Sequence, residues 1–424
     1  MIERNPSDPH AAVSYAEAVE TVAAYSSTLS PPASMQSVSL LEALHRVLAQ
    51  PLLADRDQPP FPRATRDGYA CQAGDLAAEA PLQVIGTLRA GEAWSGAPLE
   101  AGQTVEIMTG APLPPGADCV VMVEHVELTS YGFRLLAGRR VRVGDNYNPP
   151  GSEARAGELL IASGTRLTPS HLAASAAMGA ATLSVYRRPR VAILSTGDEL
   201  VPLDATPLPF QIRNSNTYSL AAQVLALGAE PVLLPIAGDT ESALEEALSL
   251  ARQEKPDLLL LSGGVSMGKF DLVEPVLAAH GARFFFTGVR IQPGKPLVFG
   301  ELPAAEGEPL PLFGLPGNPL STMVTFALFV APGLAALAGE PGFAPRFAQA
   351  TLGAPISRKP ALRRFLPAVL AGSADTVTAT PVAWQGSGDL AAAAKANCFL
   401  VVPEAAADGE QALSPGNTVG VLLA

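Results

Sequence analysis

The sequence predicts a multidomain α/β plus β protein, with a doubly wound α/β unit, a β-rich inserted module before it and a barrel-like β domain after it. Three observations predict this. From Arg190 to about Ala338 apolar runs alternate with helical stretches, and three of those runs break into small-residue loops. From about Leu52 to Ala156 short β-like runs alternate with Gly/Pro turns, and after about Pro341 β-like runs return. Parallel strands buried on both faces read as short apolar runs, and their alternation with helices predicts a doubly wound sheet.

In chain order, Ala16 to Tyr25 predicts a lead helix, within a segment 10–28 expected to pack on the α/β unit. Leu40 to Leu48 predicts a second helix beyond the Pro31-Pro32 linker. Residues 29–51 and 157–184 are assigned to a small helical linking domain, split by the β-rich module of 52–156. In that module Gln83–Ile85, Thr104–Met108 and Cys119–Val123 read as strands between turns. Pro169 to Gly179 reads as a helical piece, ending near the basic cluster Arg187-Arg188-Pro189-Arg190.

The α/β unit is assigned residues 185–340. Val191–Leu194 runs into Ser195-Thr196-Gly197-Asp198-Glu199, Leu258–Leu261 into Ser262-Gly263-Gly264-Val265-Ser266, and Leu310–Phe313 into Gly314-Leu315-Pro316-Gly317-Asn318-Pro319. Asn216 is expected to cap a helix ending at Gly228, whose glycine suits the left-handed C-terminal position. Pro231–Ile236 reads as a strand ending at Gly238-Asp239. Thr240 caps the next helix, and Asp271 caps another that stops at Gly281. Thr322 to Gly339 carries no charge. With Pro332 and Gly333 inside a strand–helix pattern, it reads as a buried core helix, since its length is marginal for a membrane span. The final domain, 341–424, holds the β-like runs Thr376–Thr380, Phe399–Val402 and Thr418–Leu422 and is expected to form a small barrel or sandwich.

The chain has 424 residues, is 48% hydrophobic and 16% charged, and so can form sizeable cores. A net charge of −12 argues against a general nucleic-acid binder, which needs a basic face, but not against an anionic small molecule. Cys71, Cys119 and Cys398 are scattered along the chain and form no C-x-x-C, which points to a reduced compartment without a disulfide framework or structural zinc. The start, Met1-Ile2-Glu3-Arg4, lacks a charged-then-apolar signal pattern, and a cytoplasmic protein is expected.

Ligands of open α/β sheets bind where the strands end. Three such endings suggest one pocket rich in backbone N–H groups and edged with carboxylates, suited to a phosphorylated substrate. Gly263-x4-Gly268-Lys269 fits the start of a P-loop, but Phe270 stands where Ser or Thr would bind magnesium. That argues against P-loop NTP hydrolysis while leaving an anion nest, or a plain strand–helix turn, open. Asp198, Glu199, Asp239 and Asp271 follow strands and could hold Mg²⁺, which shares oxygen ligands with substrate phosphates; each alone also suits a helix cap. Pro293-Gly294-Lys295-Pro296, before a strand at Leu297–Phe299, fixes Lys295 as a point charge for a phosphate or oxyanion. Asp67-Gly68 and Thr109-Gly110 read locally as turns.

Taken together, Arg66-Asp67-Gly68-Tyr69-Ala70, Ile107-Met108-Thr109-Gly110-Ala111, Gly116-Ala117-Asp118, Ser195-Thr196-Gly197-Asp198-Glu199-Leu200, Ser262-Gly263-Gly264-Val265-Ser266, Pro293-Gly294-Lys295-Pro296, Gly314-Leu315-Pro316-Gly317-Asn318-Pro319 and Gln385-Gly386-Ser387-Gly388 closely resemble the molybdopterin molybdenumtransferase family, the MoeA type and gephyrin E domain. The resemblance implies molybdenum cofactor biosynthesis: molybdate supplies molybdenum to adenylated molybdopterin, AMP leaves and Mg²⁺ assists. It makes 185–340 a molybdopterin-binding domain, and it implies a homodimer in which Asp67 and Thr109 reach across to the partner's pocket. Glu199, Asp239 and Asp271 would be the metal ligands and, with Lys295, the catalytic groups of that pocket. Thr196, Gly197, Asp198, Ser262, Gly263, Gly264 and Ser266 would form its pterin loops. Pro316, Gly317 and Pro319 would shape its wall, with Ser387 contributed by the last domain. Other cofactor-biosynthesis proteins are implied as partners, with neither nucleic acid nor membrane.

The chain departs from the family pattern at three places. Gln292 replaces a common second lysine, Glu153 a common aspartate, and Lys359-Pro360-Ala361-Leu362-Arg363 lacks the usual Gly-Arg pair, so that Arg363 or Arg364 would substitute. Two alternatives are carried: a molybdopterin adenylyltransferase, disfavoured by the flanking β modules, and a non-catalytic cofactor-binding or assembly protein, which would not need the carboxylates.

Overall fold

The computed structural model describes residues 12–31, 33–78, 80–265, 272–304, 307–359, 362–373, 375–405 and 412–423. At its centre is a six-stranded sheet. In chain order its strands are β1 (Arg190–Ser195), β2 (Glu230–Leu233), β3 (Leu258–Ser262), β4 (Arg283–Phe286), β5 (Val298–Leu302) and β6 (Leu310–Leu315). They lie in the order β2-β1-β3-β6-β5-β4. β2, β1, β3 and β6 are mutually parallel, while β5 is antiparallel to both neighbours. The expected parallel sheet is therefore mixed. The reason is local: β5 and β6 are joined by a short link that makes a hairpin, whereas a parallel neighbour needs a long crossover.

The alternation inside each strand explains the layers. Val191 and Ile193 of β1, with Leu258 and Leu260 of β3, face one core shared with Leu220, Val224 and Phe329. Ala192, Leu194, Leu259 and Leu261 face the other, with Leu244, Leu248 and Leu277. Helix α1 (Asn216–Ala226) thus covers one face, and α2 (Glu241–Gln253) and α3 (Val273–Ala279) the other. The uncharged stretch forms α4 (Pro319–Leu337), 78% buried inside the protein, with one wide turn at Phe326–Val330. The lead helix Tyr15–Ser26 starts at a capping box made by Ser14 and Glu17 and buries Ala18 and Val22 in the first core.

Several local expectations are corrected. Leu40 to Leu48 is not a helix. Met35–Ser39 pairs as a strand with Thr182–Tyr186, Leu40–His45 forms turns, and His45 takes a left-handed φ of 63°. The backbone there exchanges bonds with Thr165, Leu167 and Ser184 instead of continuing a helix. The strand expected at Pro231–Ile236 is Glu230–Leu233, and the one at Leu297–Phe299 extends to Leu302. Asn216 does not cap α1; Ser215 precedes it and Asn216 is already helical. Thr240 does cap α2, accepting from the Ala243 N–H at 3.2 Å. Gly228 has the left-handed φ, 74°, expected after α1.

The β-rich module is a six-stranded sheet around Gly68–Cys71 and Gln103–Ile107. Cys71 and Cys119 face each other across its strands, both buried, with their Sγ atoms 3.7 Å apart. The last domain closes on itself. Arg363–Gly372 pairs with Val377–Pro381 on one side and Cys398–Val402 on the other, and Thr418–Leu423 and Phe347–Leu352 complete a five-stranded ring. Ile291–Gln292 adds to the edge of this barrel by pairing with Arg363-Arg364, which fixes the barrel against the α/β unit.

Candidate active site

The loops after β1, β3 and β6 meet at the carboxyl edge of the parallel strands. The Thr196 N–H donates to the Ser262 carbonyl at 3.0 Å, the Gly263 N–H to the Leu315 carbonyl at 3.1 Å, and the Gly197 N–H to the Ala237 carbonyl at 3.2 Å. Four chain segments are therefore stitched at one crevice, flanking the switch point where the chain leaves β1 for β2 on one side and reaches β3 on the other. Asp198 and Asp239 lock the first and second segments together. The Asp198 N–H donates to Asp239 Oδ2 at 3.3 Å, and the Asp239 N–H donates to Asp198 Oδ1 at 3.1 Å. Each carboxylate uses one oxygen in that lock and keeps the other. Glu199 folds back over Gly197, where a Cβ would stand 2.5 Å from its Oε2.

The Gly263-Gly264 turn is tight for the same reason. Both residues have positive φ, 99° and 64°, and a Cβ on Gly264 would lie 2.8 Å from Val273 Cγ2 and 3.0 Å from Thr196 Oγ1. The N–H groups of Gly264, Val265 and Gly317 have no acceptor among the described residues. Such adjacent free amides make an anion-binding concavity. Beneath them lie two buried polar atoms without partners among the described residues: Thr196 Oγ1, in a residue 3% exposed, and Asn216 Oδ1, in a residue 8% exposed. Buried polar groups are nearly always paired, and exceptions gather at functional sites.

Asn216 was expected only to cap a helix, and its role at the crevice has no sequence signal beyond its place in Asn214-Ser215-Asn216-Thr217. Its Nδ2 donates to Ser262 Oγ at 2.8 Å and to the Gly317 carbonyl at 2.7 Å. The reverse amide orientation would set two carbonyl oxygens against each other at Gly317, so the contact fixes the assignment. One side chain thus joins the loop after β3 to the loop after β6. Its neighbours Asn214 and Thr217 form a second buried knot with Ser195, whose Oγ lies 2.8 Å from Thr217 Oγ1.

Lys295 is exposed on the Pro293-Gly294 turn, and its ammonium has no partner among the described residues. Gln292 beside it is not isolated from cations. Its Oε1 accepts from Arg364 Nε at 3.1 Å and from Lys359 Nζ at 3.4 Å. Burial lowers the pKa of Arg364. Arg363 is committed elsewhere, to Glu404 and to the face of Tyr15. Of the two expected substitutes, Arg364 is the one at Gln292. Pro316 is buried, Gly317 is exposed, and Pro319 opens α4, whose Leu320 N–H donates to the Ser387 carbonyl at 3.0 Å. Ser387 therefore meets this crevice through its backbone.

Asp67 and Thr109 form a separate corner in the β-rich module. Asp67 Oδ1 accepts from both the Thr109 N–H and its Oγ1, each at 2.6 Å. The hydroxyl and then the amide hold the Asp67 carboxyl below its ordinary range. No hydrogen bond or ion pair among the described residues joins this corner to the loops of its own α/β unit. Glu153 lies in the same module, ion-paired to Arg63 at 2.6 Å. Ser266 and Asp271, with Gly268 and Lys269 of the P-loop-like run, fall outside the described residues. Among the described residues no group of three His, Cys, Asp or Glu side chains is placed to hold a metal.

Comparison with known proteins bears on this geometry. A model of the MoeA N-terminal region (domain I and II) matches residues 13–179. One described as "Probable molybdopterin binding domain" matches 192–336, and one of the MoeA C-terminal region (domain IV) matches 349–424. The chain is 35% identical over 396 residues to the molybdopterin molybdenumtransferase of Bacillus subtilis, covering 91% of this chain and 89% of that protein. It is 32% identical over 399 residues to that of Haemophilus influenzae, covering 92% and 94%. A solved molybdopterin biosynthesis MoeA protein from Pyrococcus horikoshii OT3 superposes with a TM-score of 0.76 at 28% identity, over 98% of this chain and 100% of that one.

Proposed function

Since the chain belongs to the molybdopterin molybdenumtransferase family, we propose that it inserts molybdenum from molybdate into adenylated molybdopterin, releasing AMP in an Mg²⁺-dependent reaction. One observation carries this reading: the loops after β1, β3 and β6 are stitched into a single crevice that offers free amides and carboxylates together. The amides of Gly264, Val265 and Gly317 suit the pyrophosphate of the adenylated pterin. Thr196 Oγ1 and Asn216 Oδ1, unpartnered and buried, suit polar groups of the substrate or a bound water.

Molybdate is a dianion, and bringing it beside a phosphorylated pterin costs Coulomb energy unless cations flank it. Arg364 and Lys359 converge on the neutral Gln292 amide, and Lys295 is exposed on the turn that follows it; these would be the flanking cations. Asp198 and Asp239 each keep a free carboxylate oxygen, the donor chemistry a hard divalent cation takes, but with Glu199 alone they do not converge as a three-ligand set among the described residues. Glu199, Asp239 and Asp271 would hold Mg²⁺. When bound, the ion neutralises charge on the phosphate oxygens and on the departing AMP.

Asp67 and Thr109 complete the pocket from a second copy of the chain in a homodimer. Two features support this: the corner has no hydrogen bond or ion pair to its own α/β unit among the described residues, and Leu203, Leu208, Phe210 and Ile212, which follow the Glu199 loop, are exposed apolar side chains. Such a patch marks an interaction surface. Other cofactor-biosynthesis proteins would deliver the adenylated substrate.

The test is turnover. Purified protein with adenylated molybdopterin, Mg²⁺ and molybdate should release AMP and yield active cofactor. AMP release without molybdenum transfer, ATP-dependent adenylation of free molybdopterin, or tight binding without product would each overturn the reading. Asp271→Asn should keep the fold and pterin affinity while abolishing metal-dependent turnover; full activity would remove Asp271 from the metal set.

A further inference from the structure

At the opposite, amino-terminal edge of the parallel strands, a shallow cleft open to solvent lies between the linking region and the α/β unit. Four arginines line it, Arg46, Arg166, Arg187 and Arg188, and no carboxylate does. Two of the four are neutralised from outside. Arg187 makes a bidentate pair with Asp257 at 2.9 and 3.0 Å. Arg166 Nε donates to Glu340 Oε2 at 2.7 Å, and its Nη2 is at 2.7 Å from the same oxygen but out of line for a hydrogen bond. The other two have no anionic partner among the described residues.

Arg46 is the informative one, because it is only 7% exposed. Among the described residues its side-chain hydrogen bonds run from Nη2, to Gln36 Oε1 at 2.7 Å and to the Tyr186 carbonyl at 2.8 Å, both neutral acceptors. Arg188 stands beside it, its guanidinium making no hydrogen bond or ion pair among the described residues. Burial and the Arg188 charge both push the Arg46 pKa down, yet a guanidinium does not lose its proton in proteins. A largely buried cation with only neutral acceptors, beside a second cation, is a place where a bound anion would be favoured.

We propose that this cleft binds a tetrahedral oxyanion, free phosphate or the phosphate of a monoester, between Arg46 and Arg188. The planar forks of two arginines match such an anion's oxygens. The site is separate from the catalytic crevice, since Arg190 begins β1 and Asp257 precedes β3, at the strand ends remote from Thr196 and Gly263. Its walls come from residues 45–47 and 166 of the linking region, and from residues 186–189, Gly228 just after α1 and Ala338 of the α/β unit. An anion there would tie the linking region, and with it the β-rich module, to the α/β unit.

The experiment is calorimetric titration of the full chain with inorganic phosphate at constant ionic strength, paired with thermal unfolding. Saturable binding with one site per chain and a phosphate-dependent rise in Tm are expected. Arg188→Ala, which breaks no hydrogen bond of the folded chain, should weaken phosphate at least tenfold. Arg188→Glu supplies the missing negative charge itself, so it should raise Tm without phosphate and abolish the response to it. AMP is the second arm: competition with phosphate that is lost in Arg188→Ala identifies an ester as the occupant, and its absence identifies free phosphate. No saturation by phosphate, or equal affinity in wild type and Arg188→Ala, would overturn the proposal.

Discussion

The crevice of the α/β unit and the Asp67–Thr109 corner of the β-rich module both hold acidic residues, but they are built in opposite ways. In the crevice the backbone does the placing. Asp198 and Asp239 lock each other through their own N–H groups, and Asn216 bridges two loops from below. The corner is exposed, and its carboxylate is held by one neighbour, Thr109, at two atoms. The difference teaches that the crevice is preorganised by several segments of its own domain, whereas the corner is set by a single neighbour within the β-rich module. Preorganised donors and charges act without reorganising at the moment of reaction.

The sharpest way to break this contrast is to separate the two regions onto different subunits. Asp67→Ala and Asp239→Ala should each lower turnover on the order of 10²-fold or more, the size typical of losing a preorganised electrostatic group. Subunit exchange between the two variants should then restore activity, measured as AMP release and active cofactor. Failure of the mixture to recover would place both groups in one chain's pocket or remove one from it.

Strain should differ as well. Gly264→Ala forces a side chain into a left-handed turn against Val273 and Thr196, at an expected cost of about 1–3 kcal/mol. Urea unfolding reads this as a lowered midpoint, and an unchanged midpoint would show that the turn is not tight in solution. Asn216→Ala leaves a buried hydroxyl and a carbonyl without their donor, a penalty of about 1–3 kcal/mol. Its main effect should be on the loops, raising the substrate Kd roughly tenfold with a smaller change in kcat. A pure loss of kcat would argue for chemistry at Asn216 itself.

The smallest effect tests the corner. The depressed Asp67 pKa means that its stabilising contacts are fully present above the ordinary aspartate value of about 3.9, and are lost as pH falls through the lower folded value. Thr109→Val removes the hydroxyl, the larger cause, and should move the Asp67 carboxyl pKa upward in a side-chain NMR titration. No movement would mean that the amide alone holds the carboxylate.

What the sequence revealed follows from range. The three strand–loop junctions were legible because a buried parallel strand must be apolar and must stop abruptly where its loop turns polar. The antiparallel β5 was not, since direction depends on how long its link to β6 is allowed to be. Leu40 to Leu48 carried a helical pattern, but distant partners at Thr165, Leu167 and Ser184 claimed its backbone groups. Asn216 looked like a cap because a polar residue before an apolar run usually is one. Only the meeting of the loops after β3 and β6 shows what its amide holds. Asp67 and Thr109 read singly as turn residues, and their bond spans 42 positions. Cys71 and Cys119, scattered in sequence, are cross-strand neighbours for the same reason.

The ring formed by the last domain has a physical consequence of its own. Every strand in it already has a neighbour on each side, so no row of unpaired amides is presented to another molecule. A chain tail built this way can be crowded in concentrated solution without templating fibrils. Within it, deleting any one strand would open a seam rather than merely shorten an edge.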